Sequence, residues 1–175
     1  MRRPTWPPAA AASLILLAVG ACTYTPEGIE PVKSFDAARY MGRWYEVARL
    51  DHSFEKGLEK VTAVYALQSD RTVQVVNRGF DPARNEWREA TGKARFTGSP
   101  TTAALKVSFF GPFYGGYNVI DLDPAYTHAL VVGPDRSYLW ILSRTPTPPR
   151  DVVERLVEKA SALGYSTADL IFVEH

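Results

Sequence analysis

Short runs in which apolar and polar residues alternate occupy most of the chain between residues 44 and 144. A period of two is typical of strands that bury one face. Glycine, proline, aspartate and asparagine separate the runs, as expected for tight turns. The pattern predicts eight strands: Trp44–Leu50, Val61–Gln68, Val73–Phe80, Trp87–Thr97, Ala104–Phe110, Gly116–Asp121, His128–Val132 and Tyr138–Arg144.

Eight strands with hairpin-length connections are typical of a small barrel that holds one ligand. We therefore predict an all-β fold, an eight-stranded antiparallel up-and-down β-barrel, because closure removes exposed sheet edges. One α-helix is predicted after Pro149, where apolar residues recur at helical spacing until Gly164. We expect it to pack outside the barrel. A helical turn over residues 36–40 and a short last strand, Leu170–Val173, complete the prediction.

The first residues have the features of an export signal. Arg2 and Arg3 precede an apolar run, Ala9–Ala18, which is shorter than the roughly 20 residues of a membrane span. The segment Val19-Gly20-Ala21-Cys22 resembles a bacterial lipobox, in which the cysteine is acylated after cleavage. We predict a signal peptide over residues 1–21, a lipidated tether over 22–34 and the barrel domain over 35–175.

Cys22 is the sole cysteine, so the chain cannot form an internal disulfide. Acylation of Cys22 explains a single cysteine in an exported protein, whereas the alternative is an unmodified thiol. Pro26, Gly28 and Pro31 follow with no periodic apolar pattern, which indicates a flexible tether.

Composition and charge limit the possible functions. With 175 residues, 46% of them apolar, the chain can bury one core. The net charge of +1 lacks the excess of basic residues that nucleic-acid binding requires. His52, His128 and His175 stand far apart, and the sequence has no nucleophile elbow, phosphate-binding glycine loop or Cys-x-x-Cys. We therefore expect no nucleic-acid partner, no metal, no cofactor and no enzymatic activity.

Two motifs near the ends of the predicted barrel carry a family resemblance. Gly42-Arg43-Trp44 opens the first strand, and Leu142-Ser143-Arg144-Thr145-Pro146 ends the last. They resemble the first and third signatures of the lipocalins, whose arginine lies across the tryptophan indole. The resemblance implies the same contact between Trp44 and Arg144, as architecture rather than ligand binding. The second signature is degraded to Asp121-Leu122-Asp123-Pro124, where Asp121 or Asp123 is expected to keep the turn.

Residues 107–117 and 138–144 resemble more closely the bacterial outer-membrane lipoprotein lipocalins. That resemblance implies fatty acid or lysophospholipid ligands, a role in the cell envelope, and a possible homodimer. Thr23, rather than aspartate, follows Cys22, which in this family implies the periplasmic face of the outer membrane.

Strand alternation indicates which side chains point into the barrel. Glu46, Ala48 and Leu50 are expected on the face of Trp44, and a buried Glu46 would need partners. Phe54, Phe113 and Tyr114 are candidates for the rim. One misplaced bulge would invert a strand. The candidate ligand-binding residues are Ala63, Tyr65, Val75, Asn77, Phe96, Val107, Phe109, Tyr117, Val131, Tyr138 and Trp140.

Two alternatives remain open at this stage. A barrel filled by its own side chains would have the same apolar pattern and would make the protein a structural envelope lipoprotein. A lipocalin-like enzyme that acts on a lipid or isoprenoid would depend on an internal group such as Glu46 or Tyr138.

Overall fold

The computed structural model describes residues 24–175. The predicted signal peptide and Cys22 lie outside the described residues. Among residues 24–175, no helix combines the length and the apolar character that a membrane span requires. The elements are α1 (Ala37–Tyr40), β1 (Gly42–Arg49), β2 (Glu59–Leu67), β3 (Val73–Asp81), β4 (Glu86–Phe96), β5 (Ala104–Ser108), β6 (Gly115–Leu122), β7 (His128–Val132), β8 (Leu139–Ser143), α2 (Arg150–Ala162), a 3₁₀ turn (Thr167–Asp169) and β9 (Ile171–Phe172).

The strands form one closed antiparallel barrel, which confirms the predicted fold. Each of β2 to β7 pairs with the next strand along the chain, and β1 pairs with both β8 and β2. The pairing of β1 with β2 covers only Gly42–Tyr45, and β9 pairs with Ala48 and Arg49 further along. The C-terminal strand therefore covers the part of β1 that β2 leaves unpaired.

Antiparallel order assigns the connections to two ends of the barrel. The β1–β2, β3–β4, β5–β6 and β7–β8 loops share one end, which we call the mouth. The helical turn α1 precedes β1 at the other end, which we call the floor. The β2–β3, β4–β5 and β6–β7 loops lie there as well.

Arg144 and Trp44 close the floor. Trp44 is fully buried, and its Nε1 donates to the Tyr40 carbonyl oxygen at 2.8 Å. The Arg144 guanidinium carbon lies 3.9 Å from the indole centroid, the cation–π contact that the family resemblance implies. The same guanidinium donates to backbone carbonyl oxygens of α1, of β1 and of the β6–β7 loop. These acceptors are Arg39, Tyr40, Met41, Arg43 and Tyr126.

Gly42 takes a conformation that favours glycine, since its φ is +92°. A Cβ at this position would lie 3.4 Å from Arg144 Nη1. The glycine of the motif therefore lets the chain turn from α1 into β1 directly beside the guanidinium.

Alternation along the strands produces two apolar cores. On β7, Ala129 and Val131 face the barrel interior, whereas Leu130 and Val132 pack outward with Leu156 of α2. Helix α2 therefore covers the outer core, as predicted. Charged groups reinforce this contact, because the Asp121 carboxylate accepts from Lys159 Nζ at 2.7 Å and from Arg155 Nη1 at 3.2 Å.

The turn of the degraded second motif depends on Asp123. Its carboxylate accepts from the backbone N–H groups of Ala125, Thr127 and His128 at 2.6–3.0 Å. Asp121, the other candidate, binds α2 instead. The two aspartates thus divide the roles between the turn and the helix.

The assignment of Ala48 and Leu50 to the interior face was wrong. The pairing of β1 with β8 shifts register between Glu46 and Ala48. A bulge inserts one residue and reverses the faces that follow it. Ala48 and Leu50 therefore pack in the outer core, and the side chain of Arg49 is buried beside Glu46 instead.

Residues 24–34 do not form the flexible tether that the sequence indicates. Ile29 is 7% exposed and packs in the outer core. The Val32 N–H donates to the Val119 carbonyl oxygen, and the Ala103 N–H donates to Val32, both at 2.9 Å. This segment has no periodic pattern because its contacts come from tertiary packing rather than from a regular element.

Arg144→Ala is expected to lower the free energy of unfolding by about 2–4 kcal/mol, because it leaves several carbonyl oxygens unpaired and uncovers Trp44. Arg144→Lys should recover less than half of that loss, since lysine cannot reproduce the planar fork. Urea unfolding measures both. The control is Arg150→Ala, which removes an exposed ion pair and should cost under about 0.5 kcal/mol. An Arg144→Ala protein as stable as this control would contradict the role of Arg144.

Candidate functional site

A small cavity of about 100 Å³ lies inside the barrel. Apolar side chains from β2 to β6 and from β8 form most of its wall. Phe54 and Glu55 of the β1–β2 loop bound it on the mouth side, and Tyr40 bounds it toward the floor. The barrel interior is therefore only partly filled by its own side chains.

Most of the residues predicted to face the ligand surround this one cavity. Val131 and Tyr138 do not. Val131 is fully buried within the inner core, away from the cavity wall. Tyr138 precedes β8 and stacks on His52, with ring centroids 5.0 Å apart. The predicted residues that line the cavity are Ala63, Tyr65, Val75, Asn77, Phe96, Val107, Phe109, Tyr117 and Trp140.

Three tyrosine hydroxyls form the polar group nearest the floor. The Tyr117 hydroxyl lies 2.8 Å from the Tyr40 hydroxyl and 2.9 Å from the Tyr65 hydroxyl. Burial raises the pKa of all three phenols, so they stay neutral. The hydroxyls bind one another, which leaves the ring faces to form an apolar wall.

A buried ionic cluster lies toward the mouth. Arg49 Nη1 donates to Glu46 Oε1 at 2.7 Å, and both residues are almost fully buried. Arg49 Nη2 donates to the carbonyl oxygens of Glu55 and Leu58 at 3.0 and 3.2 Å. Glu55 Oε2 accepts from Trp140 Nε1 at 3.0 Å. Arg49 thus provides the partner that a buried Glu46 needs, and it also holds the β1–β2 loop across the mouth.

This cluster holds two carboxylates and one guanidinium. Burial, and then the neighbouring Glu55, raise the pKa of Glu46 to about 8. Burial likewise raises the pKa of Glu55. A second buried negative charge is unfavourable, so the cluster retains a proton at neutral pH.

His52 lies among aromatic rings next to this cluster. Its imidazole stacks on Phe54 at 5.1 Å and lies 4.8 Å from the Trp140 ring centroid. Burial, and then the positive charge of Arg49, lower the pKa of His52 to about 4. The ring is therefore neutral at pH 7 and packs as an aromatic group.

Arg49, Glu55 and Tyr40 belong to the site although the sequence did not indicate them. The bulge in β1 hides Arg49, because simple alternation places it outside the barrel. Glu55 lies in a loop, where periodicity gives no signal. Tyr40 ends the helical turn before Gly42, and its apolar character next to that motif was the signal available.

The rim candidates differ in their surroundings. Phe54 lines the cavity although 52% of its surface is exposed. Phe113 and Tyr114 lie in the β5–β6 loop, 78% and 39% exposed, and neither lines the cavity.

The lining determines what the cavity can hold. Its wall is mainly apolar, and the polar groups at its two ends bind one another. Within residues 24–175, no three His, Cys, Asp or Glu side chains come close enough to hold a metal ion. Fold and cavity together define a small calyx, a barrel with one internal site for an apolar molecule.

Comparison with known proteins identifies the family. The family model for the lipocalin-like domain matches residues 35–175. The chain is 55% identical over 169 residues to the outer membrane lipoprotein Blc of Escherichia coli K12, covering 96% of each chain. It is 49% identical over 164 residues to the Blc lipoprotein of Vibrio cholerae, covering 92% of this chain and 96% of the relative. The chain therefore belongs to the lipocalin family.

Solved structures show the same fold at low sequence identity. Insecticyanin from the tobacco hornworm Manduca sexta superposes with a TM-score of 0.68 at 20% identity, covering 87% of this chain and 86% of insecticyanin. The cockroach allergen Per a 4 gives a TM-score of 0.67 at 19% identity, covering 86% and 94%. These likenesses establish the barrel and say nothing about the ligand.

The buried cluster predicts a pH dependence of stability. Between pH 6.5 and 8 the free energy of unfolding should fall as pH rises, by at most about 1.4 kcal/mol per unit. In this window the native cluster holds a proton that unfolded glutamates, with a pKa near 4.5, have released. His52 acts in the opposite direction, but between its native pKa of about 4 and its unfolded value of 6.5.

Glu46→Gln should therefore flatten the decline between pH 6.5 and 8, as measured by denaturant unfolding at several pH values. The matched control is Glu89→Gln on exposed β4, which should keep the wild-type slope. An unchanged slope in Glu46→Gln would show that Glu46 does not hold the proton.

Proposed function

We propose that this protein is a membrane-anchored lipocalin that binds and stores or transports one acyl lipid, a fatty acid or a lysophospholipid, in the cell envelope. The observation that carries the proposal is the small apolar cavity inside the barrel. Its volume is well below the roughly 300–1,000 Å³ typical of sites for drug-sized ligands. Such a space suits a single flexible chain better than a bulky ring system.

The energy of burying such a chain is sufficient for binding. Palmitate has about 14 methylenes, and each gains roughly 0.8 kcal/mol when it leaves water. Complete burial of the chain would leave an affinity in the micromolar range after an association cost of at least about 4 kcal/mol. It requires the cavity of about 100 Å³ to widen, because that volume holds only part of such a chain. In this arrangement the acyl chain of the ligand lies among Tyr65, Val75 and Phe109, and the polar head of the ligand remains near the Glu46–Arg49 cluster at the mouth.

The anchoring part of the proposal rests on the sequence and on the relatives. The apolar run and Cys22 indicate an acylated N-terminus. The relatives that match nearly the whole chain are named outer membrane lipoproteins. With Thr23 after Cys22, we place this protein on the periplasmic face of the outer membrane.

Val75→Phe tests the proposal, because the added ring occupies the cavity. It should weaken palmitate binding by at least about tenfold, or about 1.4 kcal/mol, as measured by calorimetry. Quenching of Trp140, which lines the same cavity, should weaken in parallel.

Val76→Phe is the matched control. Val76 is the next residue of β3 and faces a groove on the outer surface near Trp87. The palmitate affinity of Val76→Phe should therefore stay within about twofold of wild type. Thermal unfolding of both variants shows that each is folded. Equal affinities for the two variants, or no palmitate binding by the wild-type protein, would contradict an internal ligand site.

A further inference from the structure

Large aromatic side chains are exposed together at the mouth of the barrel. Phe110 is 80% exposed and Phe113 is 78% exposed, both in the β5–β6 loop. Tyr114 of the same loop and Phe54 of the β1–β2 loop are partly exposed as well. Neither Phe110 nor Phe113 belongs to the inner or the outer core. Single exposed apolar residues are ordinary, but a group of them at one end marks an interaction surface.

The first described residues lie at this same end. Asn118 Nδ2 donates to the Tyr24 carbonyl oxygen at 2.7 Å, which holds Tyr24 against β6. Lys106 Nζ lies 5.4 Å from the Tyr24 ring centroid and 4.9 Å from the Tyr114 ring centroid. Tyr24 is therefore fixed beside the aromatic loop.

The distance along the chain to Cys22 is short. Cys22 precedes Tyr24 by two residues, and two fully extended residues span at most about 7 Å. The interfacial layer above the hydrocarbon of a bilayer is itself roughly 5–8 Å thick. If the acyl chains of Cys22 reach the hydrocarbon, Tyr24 must lie at the lipid surface, together with the loop beside it.

We propose that Phe54, Phe110, Phe113 and Tyr114, which we call the mouth rim, dock on the lipid bilayer, so that the cavity opens toward the membrane. This inference rests on the lipid anchoring proposed above, but not on what the cavity holds. Phe110 and Phe113 enter the boundary between headgroups and acyl chains, and Tyr114 lies at the interface. Lys106 keeps its ammonium at the level of the lipid phosphates.

This orientation has a consequence for transfer. The cavity is bounded on the mouth side by Phe54, a member of the mouth rim. An acyl chain can then pass between the bilayer and the cavity along apolar side chains, without crossing open water.

A second copy of the chain is the other occupant that this surface could accept, and a labelling experiment separates the two. Phe113→Cys and Ala125→Cys are made in the full lipoprotein, reconstituted in vesicles of phosphatidylethanolamine and phosphatidylglycerol, and labelled with a fluorescent thiol dye. Ala125 is exposed in the β6–β7 loop at the floor and serves as the control. Acylation occupies the thiol of Cys22, the sole native cysteine, so the dye reports only the added residue.

On the vesicles, the dye at position 113 should emit at a shorter wavelength than it does in water. It should also lose most of its intensity when the vesicles contain nitroxide-labelled lipid. The dye at position 125 should show neither change. A shift at 113 without quenching by the nitroxide lipid would indicate contact between two copies and would overturn the proposal.

Flotation of the vesicles separates this proposal from the anchoring. Protein that floats with the vesicles while the dye at 113 remains in water would overturn the orientation and leave the anchoring intact. Protein that does not float would overturn both. Palmitate binding is measured on the same samples, so an empty cavity would count against the proposed function alone.

Discussion

The contact of Arg144 with Trp44 is the constraint on which the rest of the barrel depends. One guanidinium covers the indole and binds carbonyl oxygens from α1, β1 and the β6–β7 loop. The β6–β7 loop is far from α1 and β1 in the sequence, so the guanidinium joins distant parts of the chain at the floor. With the floor closed, β1 can pair with β2 and β8 at once, and the interior becomes a pocket with a single mouth.

A pocket inside a protein has a cost, because interiors normally pack as densely as organic crystals. At roughly 24 cal/mol per Å³, an unfilled space of about 100 Å³ costs about 2 kcal/mol. Hydrogen bonds fix the side chains at both ends of the space, with Tyr40, Tyr65 and Tyr117 below and the Glu46–Arg49 pair above. These bonds keep the wall from collapsing inward, so the cavity exists before a ligand arrives.

The sequence predicted the elements that obey a simple period. Alternation gave the eight strands and most of the cavity wall, because each barrel strand has one face inside and one outside. The bulge in β1 reversed the faces on which Ala48, Arg49 and Leu50 lie, and a pattern of period two does not reveal a single extra residue. Tyr138 does not line the cavity, because it precedes β8 and belongs to the loop rather than to the strand.

Tertiary contacts explain the remaining differences. Glu55 reaches the cavity from a loop whose position depends on Arg49, a residue from another element. Residues 24–34 pack on the barrel through backbone hydrogen bonds to Val119 and Ala103, which leave no trace in side-chain pattern. The order that these bonds give to the segment also fixes where the chain approaches its predicted lipid anchor.

The central claim is that an acyl chain occupies the interior of the barrel, above the tyrosines and below the mouth. Intermolecular NOEs between ¹³C-labelled palmitate and the protein test it most directly. The account predicts NOEs from the chain methylenes to the ring protons of Tyr65, Phe109 and Tyr117, which line the cavity. Palmitate whose NOEs reach only exposed rings such as Phe113, or none at all, would contradict it.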